Sequence, residues 1–240
     1  VANSWPQQLT VMGSNLYFVA DDGIHGVELW TSDGTSNGTV LVKDIKTVVF
    51  GMSPQFLTPM GSTLFFSADD GTTGSALWKS DGTSNGTVLV KDIDPQMFGP
   101  GLQWLTAVSN VLFLAADNVG FGANNELWKS DGTEAGTVIV REIHPLGSSW
   151  PRNFVEFNGA LFFSATEPSI GAELWTSDGT SNGTVLVRDI ATNPATGSDP
   201  QNFTLSGGAL FFAANDWTNG TELWRSDGTS NGTVLVRDIW

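Results

Sequence analysis

Short apolar runs separated by polar, glycine-rich turns recur along the whole chain. Residues 53–93 show the pattern most plainly. Residues 53–60 predict a first strand, restricted by two prolines that cannot donate to a ladder. Residues 63–68 (Thr-Leu-Phe-Phe-Ser-Ala) and 87–91 (Thr-Val-Leu-Val-Lys) are apolar without alternation. Such runs predict strands buried on both faces. Residues 75–79 form a third strand, and residues 61–62, 69–74 and 80–86 are connections rich in Gly, Asp, Asn, Ser and Thr. No segment shows a capped apolar period of 3.6 residues, so helix is disfavoured.

The pattern repeats five times. A Leu-Trp pair ends at Trp30, Trp78, Trp128, Trp175 and Trp224, a period of about 48 residues. One residue later comes Ser-Asp-Gly-Thr, placing Asp33, Asp81, Asp131, Asp178 and Asp227 in equivalent turns. Repeats are units that cannot bury their own apolar faces alone, so they stack. Four short strands per unit predict an all-β five-bladed β-propeller with four antiparallel strands per blade. Its repeats would span residues 4–45, 53–93, 101–143, 150–190 and 199–239, in one domain covering 1–240. Closure would bring the fifth blade against the first, with Trp240 helping. A β-helix or open solenoid is the other architecture such repetition allows.

The recurring Glu-Leu-Trp-x-x-Asp-Gly-Thr stretch resembles the ELWxxDGT repeat family of secreted or surface bacterial proteins. It is met once per unit, with Ala76 standing where the other copies have Glu28, Glu126, Glu173 and Glu222. The resemblance implies a β-propeller-like extracellular or cell-surface module, and it brings no catalytic residues with it.

Charge narrows the partners. Ten basic against twenty-five acidic residues give a net charge of −15, which opposes nucleic acid and anionic membrane surfaces, since both require clustered Lys or Arg. No run reaches the roughly 20 apolar residues of a membrane span. With no cysteine there is no disulfide, thiol nucleophile or thiolate metal site. The chain opens at Val1 with no basic-then-apolar leader, as a processed or trimmed chain would.

The turn residues are accounted for by turn chemistry: Asp accepts backbone N–H groups, Gly supplies positive φ, and Asn-Gly is a strong hairpin dipeptide. The five repeat Trp are blade packing, each indole N–H needing one partner. Asp21-Asp22 and Asp69-Asp70 offer oxygen ligands to Ca²⁺, but no copy has the spacing of a dedicated calcium loop, so no cofactor is expected and Ca²⁺ stays an open possibility.

Candidate chemistry lies in the uneven loops, those joining second to third strands and one repeat to the next. They carry Phe50, Met97, Phe98, His144, Trp5, Trp150 and Trp217, with Asp199 at the position of Trp5 and Trp150. Exposed Trp beside Asp and Asn suits a sugar, offering a ring face to C–H groups and polar atoms to hydroxyls. Trp5, Trp150, Trp217, His25 and Asp199 are therefore the candidate ligand-binding residues. The expected function is non-catalytic, lectin-like carbohydrate recognition with a glycan or surface protein as partner. Two alternatives stand beside it: a structural or adhesive protein-binding propeller, and a glycosidase-type enzyme, for which two carboxylates among Asp199, Glu167 and Asp216 would have to face each other.

Overall fold

The protein is described by a computed structural model covering residues 3–45, 53–94, 101–117, 124–192 and 196–240. Among these residues there are twenty strands and no helix, arranged as five four-stranded antiparallel sheets. The first sheet contains β1 (Gln7–Met12), β2 (Asn15–Asp21), β3 (Val27–Ser32) and β4 (Val40–Lys43). The second contains β5 (Gln55–Met60), β6 (Thr63–Ala68), β7 (Ala76–Ser80) and β8 (Val88–Lys91). The third contains β9 (Gln103–Val108), β10 (Val111–Asp117), β11 (Asn125–Ser130) and β12 (Val138–Arg141). The fourth contains β13 (Arg152–Phe157), β14 (Ala160–Glu167), β15 (Gly171–Ser177) and β16 (Val185–Arg188). The fifth contains β17 (Gln201–Ser206), β18 (Ala209–Asn215), β19 (Thr221–Ser226) and β20 (Val234–Arg237). Each sheet is a meander in chain order. Pro59 sits inside β5, paired with Leu64, which is tolerated because β5 is an edge strand.

The chain divides into two compact units, Val1–Ala123 with Ser130–Thr137, and Asn124–Lys129 with Val138–Trp240. In the first unit, Met12, Tyr17, Leu29, Val42 and Ile45 of the first repeat meet Leu64, Phe66, Ala76 and Trp78 of the second. In the second unit, Phe157, Phe162, Leu174, Val187 and Ile190 meet Leu210, Phe212, Ala214 and Trp224 in the same way. Within each of these clusters the Leu side of the earlier sheet packs on the Trp side of the later one. The middle strands β6, β10 and β14 are buried almost throughout. By contrast, β18 alternates between buried and half-buried positions.

Basic side chains cross the same interfaces. Lys79 Nζ donates to Gly132 O and Lys129 Nζ to Gly179 O (2.8 and 2.7 Å), while Lys43 donates to Thr87 O, Arg141 to Thr184 O and Arg188 to Thr233 O (2.8, 2.7 and 2.7 Å). Each joins one repeat to the turn of the next.

The Ser-Asp-Gly-Thr turns are built alike. In the fourth copy, Asp178 Oδ1 accepts from Thr180 N and Thr180 Oγ1, Gly183 N donates to Thr180 Oγ1, and the Ser177 and Thr184 hydroxyls are 2.7 Å apart. Positive φ falls on Gly179 (86°) and its equivalents, as the Asp-Gly pair predicts. The second glycine of the turn, which follows Asn in four copies and Ala135 in the third, is required for a different reason. A Cβ on Gly183 would lie 2.1 Å from Asp178 Oδ1, and the other four copies have the same conflict. The repeat tryptophans also depart from expectation. Trp30 Nε1 donates to Ala20 O (3.1 Å), but the indole N–H groups of Trp78, Trp128, Trp175 and Trp224 are buried with no acceptor among the described residues. Packing of the ring between sheets outweighs the unmade bond.

Candidate functional site

The connections between repeats are fastened to the sheets by a buried carboxylate. Glu173 accepts from Ile190 N, Ala191 N, Ser198 N and Ser198 Oγ at 3.1, 3.2, 2.9 and 2.6 Å. Glu126 accepts from Ile143 N, His144 N, Ser149 N and Ser149 Oγ in the same manner. Burial pushes both carboxyls above the usual range, although the hydrogen bonds pull them down. In the second repeat Ala76 cannot do this, and Ser75 Oγ accepts from Leu102 N instead (3.4 Å).

The clamp at Glu173 delivers residues 196–199 to the end of β18. Ser198 N and Asp199 N donate to Ala172 O (2.9 and 3.0 Å), and Asn215 N donates to Ser198 O (2.9 Å). Here Gly171 and Gly197 cross at close range: a Cβ on Gly197 would lie 2.1 Å from Ala172 N. The crossing walls a cavity of about 420 Å³ lined by Trp217, Asp199, Arg152, Asn215, Gln201 and Asn202, among others. Arg152 pairs with the Asp199 carboxylate, and Gln201 donates to its other oxygen. Trp217 is 53% exposed, yet its Nε1 donates to Gly197 O (2.9 Å) and its backbone N to Asn215 Oδ1 (2.7 Å). The ring is therefore held at an open wall rather than folded into the core.

Four of the five sequence candidates have left-handed backbones: Trp5 (φ 45°), Trp150 (47°), Asp199 (47°) and Trp217 (62°). Non-glycine residues in that region cost about 1–3 kcal/mol each, so the surrounding bonds must impose it. The structure brings Trp217 and Asp199 to one cavity. Trp150 is also exposed and donates its N–H to Asn125 O (3.3 Å), but it lies outside that lining. Trp5 and His25 belong to the other unit. Trp5 is exposed, while His25 Nδ1 is 2.7 Å from Asp22 Oδ2. That contact raises the His25 pKa; backbone and side-chain bonds from His25 hold Asp22 down at about 2. His25 is thus engaged within its own loop.

Arg152, Gln201, Asn202 and Asn215 were not singled out by sequence reasoning. A signal for the first was present: Gln7, Gln55, Gln103 and Gln201 share one repeat position, and only the fourth repeat has Arg there. Among the glycosidase candidates, Asp199 is the one carboxylate in the lining. Glu167 turns to Ser169, and Asp216 accepts from Thr218 N and Asn219 N within its own turn. Asp22 and Asp70 cap their turns as Asp216 does. Among the described residues no three His, Asp or Glu side chains converge on a metal position. Phe50, Met97 and Phe98 lie outside the described residues.

No protein-family model matches the chain, and no curated protein sequence does. Solved structures match it in fold. Puromycin hydrolase superposes with a TM-score of 0.59 at 18% identity, over 97% of this chain and 37% of that one. Prolyl oligopeptidase B from Galerina marginata gives 0.64 at 12%, over 97% and 36%. TolB from Acinetobacter baumannii gives 0.51 at 11%, over 90% and 50%. The repeats have β-propeller architecture. At these identities the likeness is one of fold, and the chain spans between a third and a half of the length of these proteins.

Proposed function

We propose that the five sheets are five blades of an extracellular propeller of the ELWxxDGT type, and that it binds glycans without transforming them. The observation that carries this reading is Trp217. An exposed indole is pinned through Nε1, on a left-handed backbone, beside the Arg152–Asp199 pair and the amides of Gln201, Asn202 and Asn215. A fixed aromatic face takes the C–H side of a pyranose, and the charged pair and amides take hydroxyls in directed geometry. Preorganisation reduces the ordering cost of binding. A lining with one carboxylate, already paired with Arg152, favours recognition over two-acid hydrolysis.

A glycan array followed by calorimetry tests the reading. The wild-type chain binds a restricted set of glycans, and Trp217→Ala weakens that binding about tenfold or more, the equivalent of about 1.4 kcal/mol. The melting temperature stays near wild type, because the ring is largely exposed. If the wild type retains no glycan, or if Trp217→Ala binds as well as wild type, the assignment of this cavity is wrong.

A further inference from the structure

Asn-Gly and Asp-Gly pairs cyclise spontaneously, because glycine has no Cβ to shield its own amide nitrogen. That nitrogen attacks the side-chain carbonyl carbon of the residue before it and closes a succinimide. The chain carries six Asn-Gly and seven Asp-Gly pairs. In each Ser-Asp-Gly-Thr turn the glycine nitrogen donates to the serine hydroxyl, as Gly179 N does to Ser177 Oγ (3.1 Å). Gly23 N and Gly71 N donate to Asp21 Oδ1 and Asp69 Oδ1 (2.7 Å each). Among the Asn-Gly pairs, Gly38, Gly86, Gly183 and Gly232 donate to a threonine hydroxyl at 2.9–3.0 Å. Gly159 N donates to Glu156 Oε1 (2.8 Å).

The remaining pair is Asn219-Gly220. Gly220 is exposed, and its nitrogen has no acceptor among the described residues. A donated N–H must be withdrawn from its acceptor before the nitrogen can attack, which slows closure about tenfold for a bond of ordinary net strength. The other glycine nitrogens carry that guard and Gly220 does not. The leaving nitrogen is also served: Asn219 Nδ2 donates to Asp216 Oδ2 (2.8 Å), so a carboxylate stands where the departing group takes up its proton.

We propose that Asn219 is a site of spontaneous deamidation, and that its conversion releases the loop holding Trp217. Gly220 N bonds to Asn219 Cγ and gives up its proton. The Cγ–Nδ2 bond breaks, and Nδ2 leaves as ammonia after taking one proton through Asp216. Water then opens the succinimide at either carbonyl, giving aspartate or isoaspartate, with no change of oxidation state. Both products lose the Nδ2 donor and set a second carboxylate against Asp216, where like charges repel. Isoaspartate also lengthens the main chain by a methylene. Asp216 accepts from Thr218 N and Asn219 N as well (2.9 and 2.7 Å), so the turn between β18 and β19 loses the group that organises it. Trp217 stands inside this turn. Any consequence for glycan binding rests on the function proposed above; the chemistry and the loosening of the loop do not.

Ageing of the intact chain at mildly alkaline pH, followed by peptide mapping in a mass spectrometer, tests the site. Asn219 converts about tenfold faster than Asn37, Asn85, Asn158, Asn182 or Asn231 and yields both isomers. If Asn219 converts no faster than those five, the proposal is overturned. Two variants test the guard. Thr180→Val removes the acceptor of Gly183 N and keeps the branched shape, whereas Thr180→Ser keeps the hydroxyl. Asn182 conversion rises about tenfold in the first and not in the second. Equal rates in two folded variants would sink the guarding mechanism; circular dichroism melts verify folding, and the wild-type comparison decides alone if Thr180→Val does not fold. Chymotrypsin reads the loop: cleavage after Trp217 is faster in the aged chain and in Asn219→Asp than in the fresh chain, and unchanged cleavage overturns the release. A chain that binds no glycan still gives all of these readouts, so failure here is distinct from failure of the glycan reading.

Discussion

At one end of the sheets, Asp33, Asp81, Asp131, Asp178 and Asp227 each take the N–H and hydroxyl of the threonine two residues on, with the same lengths in all five copies. At the other end, Glu126 and Glu173 bind the connections between repeats, but the residues those connections carry differ: Trp150 in one, Asp199 in the next. The first end uses an exposed carboxylate to close a tight turn locally. The second uses a buried one to hold a segment arriving from about 25 residues away, Ser198 to Glu173. Local closure leaves little freedom for variation, because the turns of the second to fifth repeats must also receive a basic side chain from the repeat before them. A remote clamp fixes the backbone through N–H groups that any residue can supply, so the side chains beside it are free to carry chemistry.

Breaking the remote clamp should have the largest effect. Glu173→Ala leaves Ile190 N, Ala191 N, Ser198 N and Ser198 Oγ without their acceptor in a buried place. Orphaning such a set costs about 3–5 kcal/mol. Urea denaturation reads the loss, and because Asp199 follows Ser198, glycan binding should fall with it. Glu173→Gln keeps the shape and one acceptor oxygen and should recover part of both. Equal stability of Glu173→Ala and wild type would refute the clamp.

Local closure should break less severely. Gly183→Ala forces a methyl into the Asp178 carboxylate, so the turn must open or the Asp must swing out. Overpacking of this kind costs about 1–3 kcal/mol. It should leave glycan binding unchanged at saturating protein stability, since the substitution lies at the opposite end of its sheet. If Gly183→Ala is neutral while Gly179→Ala is not, positive φ alone governs these turns and the carboxylate contact does not.

Much of this was legible in the sequence, and for a physical reason. Strands and turns are set by local pattern, and five copies sample that pattern five times; residues 63–68, read as a strand from contiguous apolar residues, are β6 itself. The buried role of Glu126 and Glu173 was not legible, because their partners are backbone N–H groups, which any residue type supplies. Arg152 escaped notice because its partner, Asp199, is one repeat away.

The smallest effect is the most discriminating, since the two kinds of carboxylate should respond to pH with opposite sign. Bonds from Thr180 lower the Asp178 pKa below the ordinary aspartate value of 3.8. A lowered acid stabilises the fold above its unfolded value and loses that contribution as pH falls through the folded one. The deficit of Asp178→Asn should therefore be full at neutral pH and shrink below about pH 4. Burial raises the Glu173 pKa above 4.5. A raised acid favours the fold most while protonated, and that contribution is lost as pH rises from the unfolded value through the folded one. The deficit of Glu173→Gln should consequently shrink as pH rises out of that window. Urea midpoints for the two variants and wild type from about pH 3 to about pH 7 give the slopes. Slopes of the same sign would mean that hydrogen bonds outweigh burial at Glu173, and that the two ends of the sheet differ in what they reach and not in how they hold charge.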